Sequence, residues 1–255
     1  MDKRYYIGID IGSTASKVVV IDDEKLIDSF CIPTGWNSKE TANTIYQKLK
    51  EKGFSDNISC AATGYGRICV EYADKVITEI TCHAKGAYAL FGVDGTVIDI
   101  GGQDTKIISL ENGMVRDFLM NDKCAAGTGR FLDVMANILN LDIQDLEVEA
   151  LKSDNPANIS STCTVFAESE VISQLATGRN IPDLVAGICK SVAVRVAALA
   201  KRVGIVEEVC MSGGVAKNSG VRNAMSKELG VDIVFSKDAQ LMGALGAAIY
   251  GFKKL

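Results

Sequence analysis

The sequence contains one short motif twice, and this repeat constrains the fold more than any other feature. Residues 10–17 read DIGSTASK and residues 99–106 read DIGGQDTK, so both copies fit the pattern D-I-G-x-x-x-x-K. An apolar run precedes and follows each copy, which predicts a strand, a turn of small residues and a second strand. Two such hairpins predict two halves of similar fold.

Both turns have the composition of a phosphate-binding loop. Glycine and hydroxyl residues let backbone N–H groups approach a phosphate closely. The aspartate before each turn, Asp10 or Asp99, can hold a hydrated magnesium ion because hard cations prefer carboxylate oxygen and water. One glycine turn between strands is usually structural, but two copies predict two halves that face one ligand.

A third segment, residues 209–218, reads VCMSGGVAKN and combines an apolar strand with a small-residue turn. A helix is predicted to follow over residues 221–229, and glycines at such a turn let a planar or anionic ligand approach the helix N-terminus. The remaining pattern predicts strands over 58–62 and 231–235 and helices over 79–91 and 239–252.

Together these segments resemble the actin-like ATPase superfamily, which includes sugar kinases, heat-shock chaperone ATPases and actin. Residues 10–17 and 99–106 match its two phosphate loops, and residues 212–218 match its adenosine loop. The resemblance implies an α/β fold of the ribonuclease H-like type, with two similar domains around a nucleotide cleft. Residues 1–95 and the C-terminal helix 239–255 would form the first domain, and residues 96–238 the second.

The match also implies the residues that bind and hydrolyse MgATP. Asp10 and Asp99 would bind magnesium, directly or through water. Lys17 and Lys106 either contact phosphate or are solvated lysines at strand starts. The predicted phosphate cradle consists of Gly12, Ser13, Thr14, Gly101, Gly102 and Gln103. The predicted catalytic residues are Asp10, Gln103 and Asp104, the last two orienting the attacking water. The adenosine site would be lined by Gly213, Gly214, Lys217 and Asn218.

Charge and hydropathy exclude several classes of protein. The 255-residue chain has a formal net charge of −5 and no basic cluster, so a nucleic-acid partner is not expected. The N-terminus lacks the apolar stretch of a signal peptide. The most apolar later segment, residues 184–204, is interrupted by four basic residues and is predicted to be an amphipathic or buried helix rather than a membrane span. We therefore expect a cytoplasmic protein.

Two of the eight cysteines lie in unusual surroundings. Cys124 opens the flexible run CAAGTGR before a predicted helix, and Cys163 follows Ser160, Ser161 and Thr162, whose side chains are of the helix-capping type. A helix N-terminus stabilises a thiolate and favours an anionic metal–sulfur cluster. Two cysteines cannot complete a four-thiolate cluster unless a twofold axis supplies the same pair again. The other cysteines are predicted to be core or incidental.

These segments resemble, more closely, the activator components of 2-hydroxyacyl-CoA dehydratases, which are related to the ATPase subunits of benzoyl-CoA reductases. The matching stretches include NDKCAAGTGRFLDVMA and SSTCTVFAESEVISQL and run from near residue 7 to near residue 249. The resemblance implies a homodimer with one [4Fe–4S] cluster, held by Cys124 and Cys163 of both chains. Reduced ferredoxin or flavodoxin would donate an electron, and MgATP would drive it into a partner iron–sulfur enzyme, most naturally a dehydratase.

Two alternatives belong to the same superfamily. A small-molecule kinase of the amino-sugar type would use Asp104 as general base, and a non-enzymatic assembly protein would form filaments with ATP. The cysteine-centred segment NDKCAAGTGR argues against the kinase, because a sugar pocket has no evident need for it.

Overall fold

Each copy of the repeated motif lies in a five-stranded sheet of its own. The computed structural model describes residues 4–22, 25–92 and 94–252. Its strands are β1 (Tyr5–Ile11), β2 (Ala15–Asp22), β3 (Lys25–Pro33), β4 (Ile58–Thr63), β5 (Lys75–Val76), β6 (Gly95–Ile100), β7 (Thr105–Glu111), β8 (Met114–Asn121), β9 (Val209–Ser212) and β10 (Ile233–Val234). Its helices are α1 (Ser38–Glu51), α2 (Glu79–Phe91), α3 (Gly129–Ile138), α4 (Asp145–Ala150), α5 (Thr164–Ala176), α6 (Ile181–Val203), α7 (Ser219–Leu229) and α8 (Met242–Phe252).

The chain divides into two compact units. The first comprises Met1–Asp94, Leu110–Arg116 and Asp238–Leu255, and the second comprises Gly95–Ser109 and Asp117–Lys237. The segment Leu110–Arg116 groups with the first unit, whereas the sequence pattern predicted it in the second domain. Asp94 explains this grouping, because its carboxylate accepts hydrogen bonds from the backbone N–H groups of Asn112 and Gly113 at 2.6 and 2.8 Å.

The sheet of the first unit has the strand order β3-β2-β1-β4-β5. The predicted first hairpin is confirmed, since β1 pairs with β2 antiparallel and places Asp10 opposite Lys17. Side chains alternate across β1. Its isoleucines pack on the face covered by α1, and Val19 and Ile21 of β2 pack on the opposite face against α8.

The helices α2 and α8 approach the first sheet closely because small residues line their contacts. A Cβ atom on Gly8 of β1 would lie 1.9 Å from the carbonyl oxygen of Ala244 in α8. A Cβ on Gly246 would lie 1.8 Å from the carbonyl oxygen of Cys82 in α2. The small-residue helix predicted over 239–252 therefore packs on backbone, after a short 3-10 turn, Ala239–Leu241.

The sheet of the second unit has the order β10-β9-β6-β7-β8, so the two strands that flank the second motif are neighbours. The strand β9 runs parallel to β6 and places Ser212 opposite Asp99. The helix α6 covers the segment for which a buried or amphipathic helix was predicted, and most of its small and branched residues are buried. None of the helices in the described residues is long and apolar enough to cross a membrane.

The remaining predicted elements are present with small changes of boundary. The helix predicted over 221–229 begins two residues earlier, at Ser219, because the Asn218 side chain caps it by accepting from the N–H of Val221 at 3.0 Å. The strand predicted over 231–235 is reduced to Ile233–Val234, which pairs with β9 at the edge of the sheet.

Candidate nucleotide site and cysteine loops

Asp10 ends β1 as a fully buried carboxylate next to one cation. Its Oδ2 atom lies 2.7 Å from Nζ of Lys17, the residue opposite it on β2. Neither carboxylate oxygen has a hydrogen-bond partner of good geometry within the described residues, so the ion pair is the main compensation for this charge. A buried carboxylate with unused acceptor capacity suits a hydrated magnesium ion.

Two glycines leave the space around Asp10 that this carboxylate needs. A Cβ on Gly64, which has a φ of +87°, would lie 2.3 Å from Asp10 Oδ1. A Cβ on Gly243 would lie 2.9 Å from Asp10 Oδ2 and 2.8 Å from Nε2 of His83. Sequence reasoning missed both glycines as site residues, although Gly64 belongs to the turn ATGYGR that carries part of the family resemblance.

The second motif repeats the aspartate–lysine pair in a more buried form. The Lys106 side chain is 1% exposed, and its Nζ lies 3.3 Å from Asp99 Oδ2 and 2.7 Å from Asp104 Oδ2. Ser212 at the end of β9 donates to Asp99 Oδ1 at 2.6 Å. Lys106 is therefore not a solvated lysine, and Lys17 is largely buried as well.

The predicted hydrolysis residues lie in the turn of the second motif. Gln103 is exposed at the turn, which leaves its amide available to a bound ligand. Asp104 folds back instead, because its backbone carbonyl accepts from the N–H of Gly101 at 2.9 Å and its side chain pairs with Lys106. A Cβ on Gly101 would lie 2.4 Å from Asp104 Oδ1, so this turn requires glycine there.

The predicted adenosine loop lies directly on the second motif. Gly213 has a φ of +83°, and a Cβ on it would lie 2.2 Å from the carbonyl oxygen of Ile100. The 3-10 turn Gly214–Lys217 follows, with Val215 and Ala216 buried and the Lys217 side chain exposed. Asn218 uses its side chain to cap α7, so this predicted adenosine residue also has a structural role.

Cys124 is half-buried at the start of a short loop whose backbone is held by hydrogen bonds. Four consecutive carbonyl oxygens of this cysteine loop (residues 124–128) accept from side chains. Asn121 Nδ2 donates to Cys124 at 2.9 Å and to Ala126 at 3.3 Å, Thr128 Oγ1 to Ala125 at 2.7 Å, and Thr105 Oγ1 to Gly127 at 2.6 Å. The loop is therefore rigidly positioned before α3.

The helix α3 begins on the second motif itself. Its first N–H groups, those of Gly129 and Arg130, donate to the carbonyl oxygens of Gly101 and Gly102 at 2.8 and 2.7 Å. The N-cap residue Thr128 makes no side-chain cap, and the motif carbonyls satisfy two of the N–H groups that have no partner within the helix. The cysteine loop and the predicted phosphate loop thus share hydrogen bonds.

Cys163 is half-buried and is itself the N-cap residue of α5, with no side-chain cap hydrogen bond. The hydroxyls predicted before it do not cap this helix; Ser160 Oγ instead accepts from the N–H of Thr162 at 3.4 Å. Glu170 fixes the segment by accepting from the N–H of Ser160 at 2.6 Å. The Cys163 thiol therefore stays available at a helix N-terminus, and α3 and α5 pack against each other.

Four other cysteines behave as core residues. Burial raises the pKa of each thiol from 9.0 to about 12, which keeps it protonated and unsuited to metal binding. These residues are Cys60, Cys82, Cys189 and Cys210. The core interpretation of these four cysteines is confirmed by their burial.

Known proteins are similar to this chain over nearly its whole length. The chain is 52% identical over 254 residues to the (R)-2-hydroxyglutaryl-CoA dehydratase activating ATPase of Acidaminococcus fermentans, covering 98% of each chain. The structure of the activator of the 2-hydroxyisocaproyl-CoA dehydratase from Clostridium difficile with bound ADPNP has 48% sequence identity and a TM-score of 0.92, covering 97% of this chain and 94% of that one.

A more distant neighbour shows the fold alone. A ROK family glucokinase from Streptomyces griseus has a TM-score of 0.61 at 16% identity, covering 96% of this chain and 98% of that one. The actin-like fold is confirmed, as is the resemblance to activators of 2-hydroxyacyl-CoA dehydratases. The model of the BadF/BadG/BcrA/BcrD ATPase family matches residues 7–251. The chain therefore belongs to the BadF/BadG/BcrA/BcrD ATPase family.

Proposed function

We propose that this ATPase activates a 2-hydroxyacyl-CoA dehydratase, or a related double-cluster reductase, by ATP-dependent transfer of one electron. One observation carries the proposal: the second unit contains both a predicted phosphate motif and two half-buried cysteines that each precede a helix. Cys124 and Cys163 contribute no disulfide to stability. Thr105 of the motif donates to the Cys124 loop, and the helix after the loop begins on two motif carbonyls, an arrangement that a small-molecule kinase does not need.

The residues around each motif suit MgATP. Asp10 and Asp99 would hold hydrated magnesium, and the turns at residues 12–14 and 101–103 would surround the phosphates. Lys17 and Lys106 pair with these aspartates and hold both carboxylates in place before the cation arrives. Gln103 would orient the attacking water, with Asp104 held beside it. Gly213, Gly214, Lys217 and Asn218 would bind the adenosine.

Cys124 and Cys163 suit a shared [4Fe–4S] cluster. Each chain supplies two accessible thiols, and a four-thiolate site needs two copies of that pair. Val165 and Phe166, on the first turn of the helix that Cys163 caps, are 64% and 65% exposed, which supports a second chain covering this end of α5. When bound, the cluster would supply a one-electron carrier between reduced ferredoxin or flavodoxin and the partner enzyme.

The role of ATP in this proposal is to change the surroundings of the two cysteines. Cluster potentials depend on charge, hydrogen bonding and solvent exposure. The loop carbonyls beside Cys124 and the N-terminus of α5 at Cys163 set these surroundings. Hydrolysis of MgATP to ADP and phosphate would therefore let the chain release an electron to its partner at a potential that the donor alone could not reach.

The direct test is reconstitution under anaerobic conditions. The reduced protein is mixed with MgATP and a dehydratase acting on 2-hydroxyglutaryl-CoA or 2-hydroxyisocaproyl-CoA, and formation of the unsaturated acyl-CoA is followed. We expect product only with ATP, and none with a Cys124→Ser variant. The matched control Cys31→Ser changes an exposed thiol of the first unit and should behave as wild type. Equal activation by Cys124→Ser, or activation without ATP, would contradict the proposal.

A further inference from the structure

Two peptide groups of the second motif connect its phosphate-facing side to the cysteine loop. The carbonyl oxygens of Gly101 and Gly102 accept from the first N–H groups of α3, those of Gly129 and Arg130. In a trans peptide the carbonyl and the following N–H point in opposite directions. The N–H groups of Gly102 and Gln103 therefore point away from α3. A phosphate held by these N–H groups would pull on the same peptide planes that anchor the helix.

A third connection is made by a side chain. Thr105 is fully buried in β7, and its Oγ1 donates to the carbonyl oxygen of Gly127 at 2.6 Å. Gly127 has a φ of +85°, and a Cβ on it would lie 2.9 Å from Cγ of Arg195, so the loop cannot take another residue there without a shift. Thr105 thus holds the loop between Cys124 and α3 at a closely packed point that requires glycine.

The first motif shows that this hydroxyl is a recurring part of the hairpin. Ser16 occupies the same place before the motif lysine, is also fully buried, and its Oγ lies 2.7 Å from Oγ1 of Thr34. In both units the motif hydroxyl therefore fastens the segment that follows the third strand of the hairpin sheet. In the first unit the N–H of Thr34 also donates to the carbonyl oxygen of Thr14 in the motif at 2.9 Å. In the second unit the segment carries Cys124, and the N–H groups of Gly129 and Arg130 donate to two motif carbonyls.

We propose that the Gly101–Gly102 and Gly102–Gln103 peptide groups transmit the phosphate state of the nucleotide to Cys124, and that Thr105 is the positioning residue that keeps the cysteine loop attached to them. This inference rests on the proposed function only in assuming that the second motif binds nucleotide phosphate. It does not require the cluster. Rotation of the two peptide planes would displace the start of α3, and the Thr105 bond would carry that displacement into residues 124–128.

The test measures the reactivity of Cys124 in cluster-free protein. Alkylation by iodoacetamide is followed by mass spectrometry with no nucleotide, with MgADP and with the magnesium complex of ADPNP, and Cys31 in the same digest serves as an internal reference. In wild type we expect the Cys124 rate to differ between the two nucleotides by at least about fivefold, the lower end of usual coupling between sites. In Thr105→Val the difference should vanish while nucleotide affinity, measured by calorimetry, stays within about threefold.

Two further variants separate positioning from general stability. Thr105→Ser keeps the hydroxyl and should restore the nucleotide dependence. Thr96→Val removes another fully buried hydroxyl of the same unit, one that donates to the carbonyl of Val206 at 2.9 Å, and should keep the dependence. A Thr105→Val protein that retains the wild-type nucleotide dependence would overturn the proposal.

A measurement on wild type alone covers the case in which Thr105→Val does not fold. Hydrogen exchange of the Gly129 and Arg130 amides should change between the MgADP and ADPNP states. Unchanged exchange together with unchanged Cys124 alkylation, in a protein shown by calorimetry to bind both nucleotides, would refute the connection and leave the ATPase proposal intact. Failure of the protein to bind either nucleotide would instead refute the phosphate role assigned to the second motif.

Discussion

At the scale of single residues, the first and last residues of each copy of the motif, an aspartate and a lysine, form an ion pair. The spacing of seven places each lysine next to its aspartate across the turn, as Asp10 and Lys17 show by direct cross-strand pairing. This arrangement could be predicted only in part. The motif predicts the aspartates as magnesium ligands, which stays a prediction. It leaves the lysines between phosphate contact and solvent, because a linear sequence does not show which atoms meet across a hairpin.

The Lys106 side chain provides a stability test of this arrangement. Lys106→Met should destabilise the fold by about 3–5 kcal/mol, because it leaves the buried Asp99 carboxylate without its cation. Lys17→Met should cost less, since the Lys17 side chain is 14% exposed and water can replace part of the interaction. Urea unfolding at neutral pH compares the two. Equal losses of unfolding free energy in the two variants, or no loss in Lys106→Met, would contradict the prediction that the Lys106 ion pair stabilises the fold more than the Lys17 ion pair.

The four buried thiols predict how stability depends on alkaline pH. Their pKa is about 12 in the folded protein against 9.0 otherwise, so above pH 9 the unfolded chain loses protons that the folded chain keeps. The contribution of these four thiols to the free energy of unfolding is fully present below pH 9 and is lost as the pH rises toward 12. Cys189→Ala removes one of them and should reduce the slope between about pH 10 and 11 by about 1.4 kcal/mol per pH unit. Urea titrations at several pH values measure this slope, and an unchanged slope would contradict the assignment.

At the scale of elements, close backbone packing decides the positions of α2 and α8. The pattern of 239–252 predicts a helix of small residues, and α8 is present there and packs on β1 and α2. The individual contacts were not predictable, because Gly8, Gly86 and Gly246 lie far apart in sequence and meet only in the folded unit. A Cβ on Gly86 would lie 2.0 Å from the carbonyl oxygen of Met242, so α2 depends on α8 as much as β1 does.

Gly246→Ala tests this packing. The new methyl group would overlap the Cys82 carbonyl and force the two helices apart, at a cost of about 2–3 kcal/mol. The matched control Gly251→Ala lies in the same helix, where a Cβ meets nothing nearer than 3.8 Å, and should be neutral or slightly stabilising because alanine favours a helix. Thermal and urea unfolding compare the pair. Equal stability of both variants would mean that α8 can shift without loss.

The cysteine segments show a limit of prediction at the same scale. The helical spacing after Cys124 and after Cys163 predicted α3 and α5, and both helices are present. The way each helix starts was not predicted: α3 begins on carbonyls of the second motif, and α5 begins at Cys163 itself. Non-local hydrogen bonds and local cap geometry decide these starts, and neither is visible in a periodic pattern.

At the scale of the whole molecule, the two units share one sheet architecture, and the second unit carries additional segments. Each unit has a five-stranded sheet with the motif at its centre, and the second unit also contains the segment predicted to bind adenosine and the two cysteine segments. The fold class came from the resemblance to the actin-like ATPase superfamily, which the two copies of the motif and residues 209–218 carry. The electron-transfer function that we propose also rests on a resemblance, since no physical pattern in the sequence states what a pair of cysteines binds.

Asp10 and Asp99 are both proposed ligands of the magnesium in MgATP. Asp10→Asn and Asp99→Asn should each lower the ATP hydrolysis rate by about a hundredfold or more, and the double variant should be little worse than either single one, because residues that act as a unit are not additive. Phosphate release at saturating ATP measures the rates. Fully multiplicative losses in the double variant would contradict a single site.

The central claim, ATP-driven electron transfer through a shared cluster, is tested most directly by iron and sulfide content. The protein is purified without oxygen, and iron, sulfide and the visible spectrum are measured per dimer beside a Cys124→Ala variant. We expect about four irons and four sulfides per dimer with a broad absorption near 400 nm, all lost in the variant. A colourless, iron-free wild type that hydrolyses ATP and resists anaerobic reconstitution would contradict the claim.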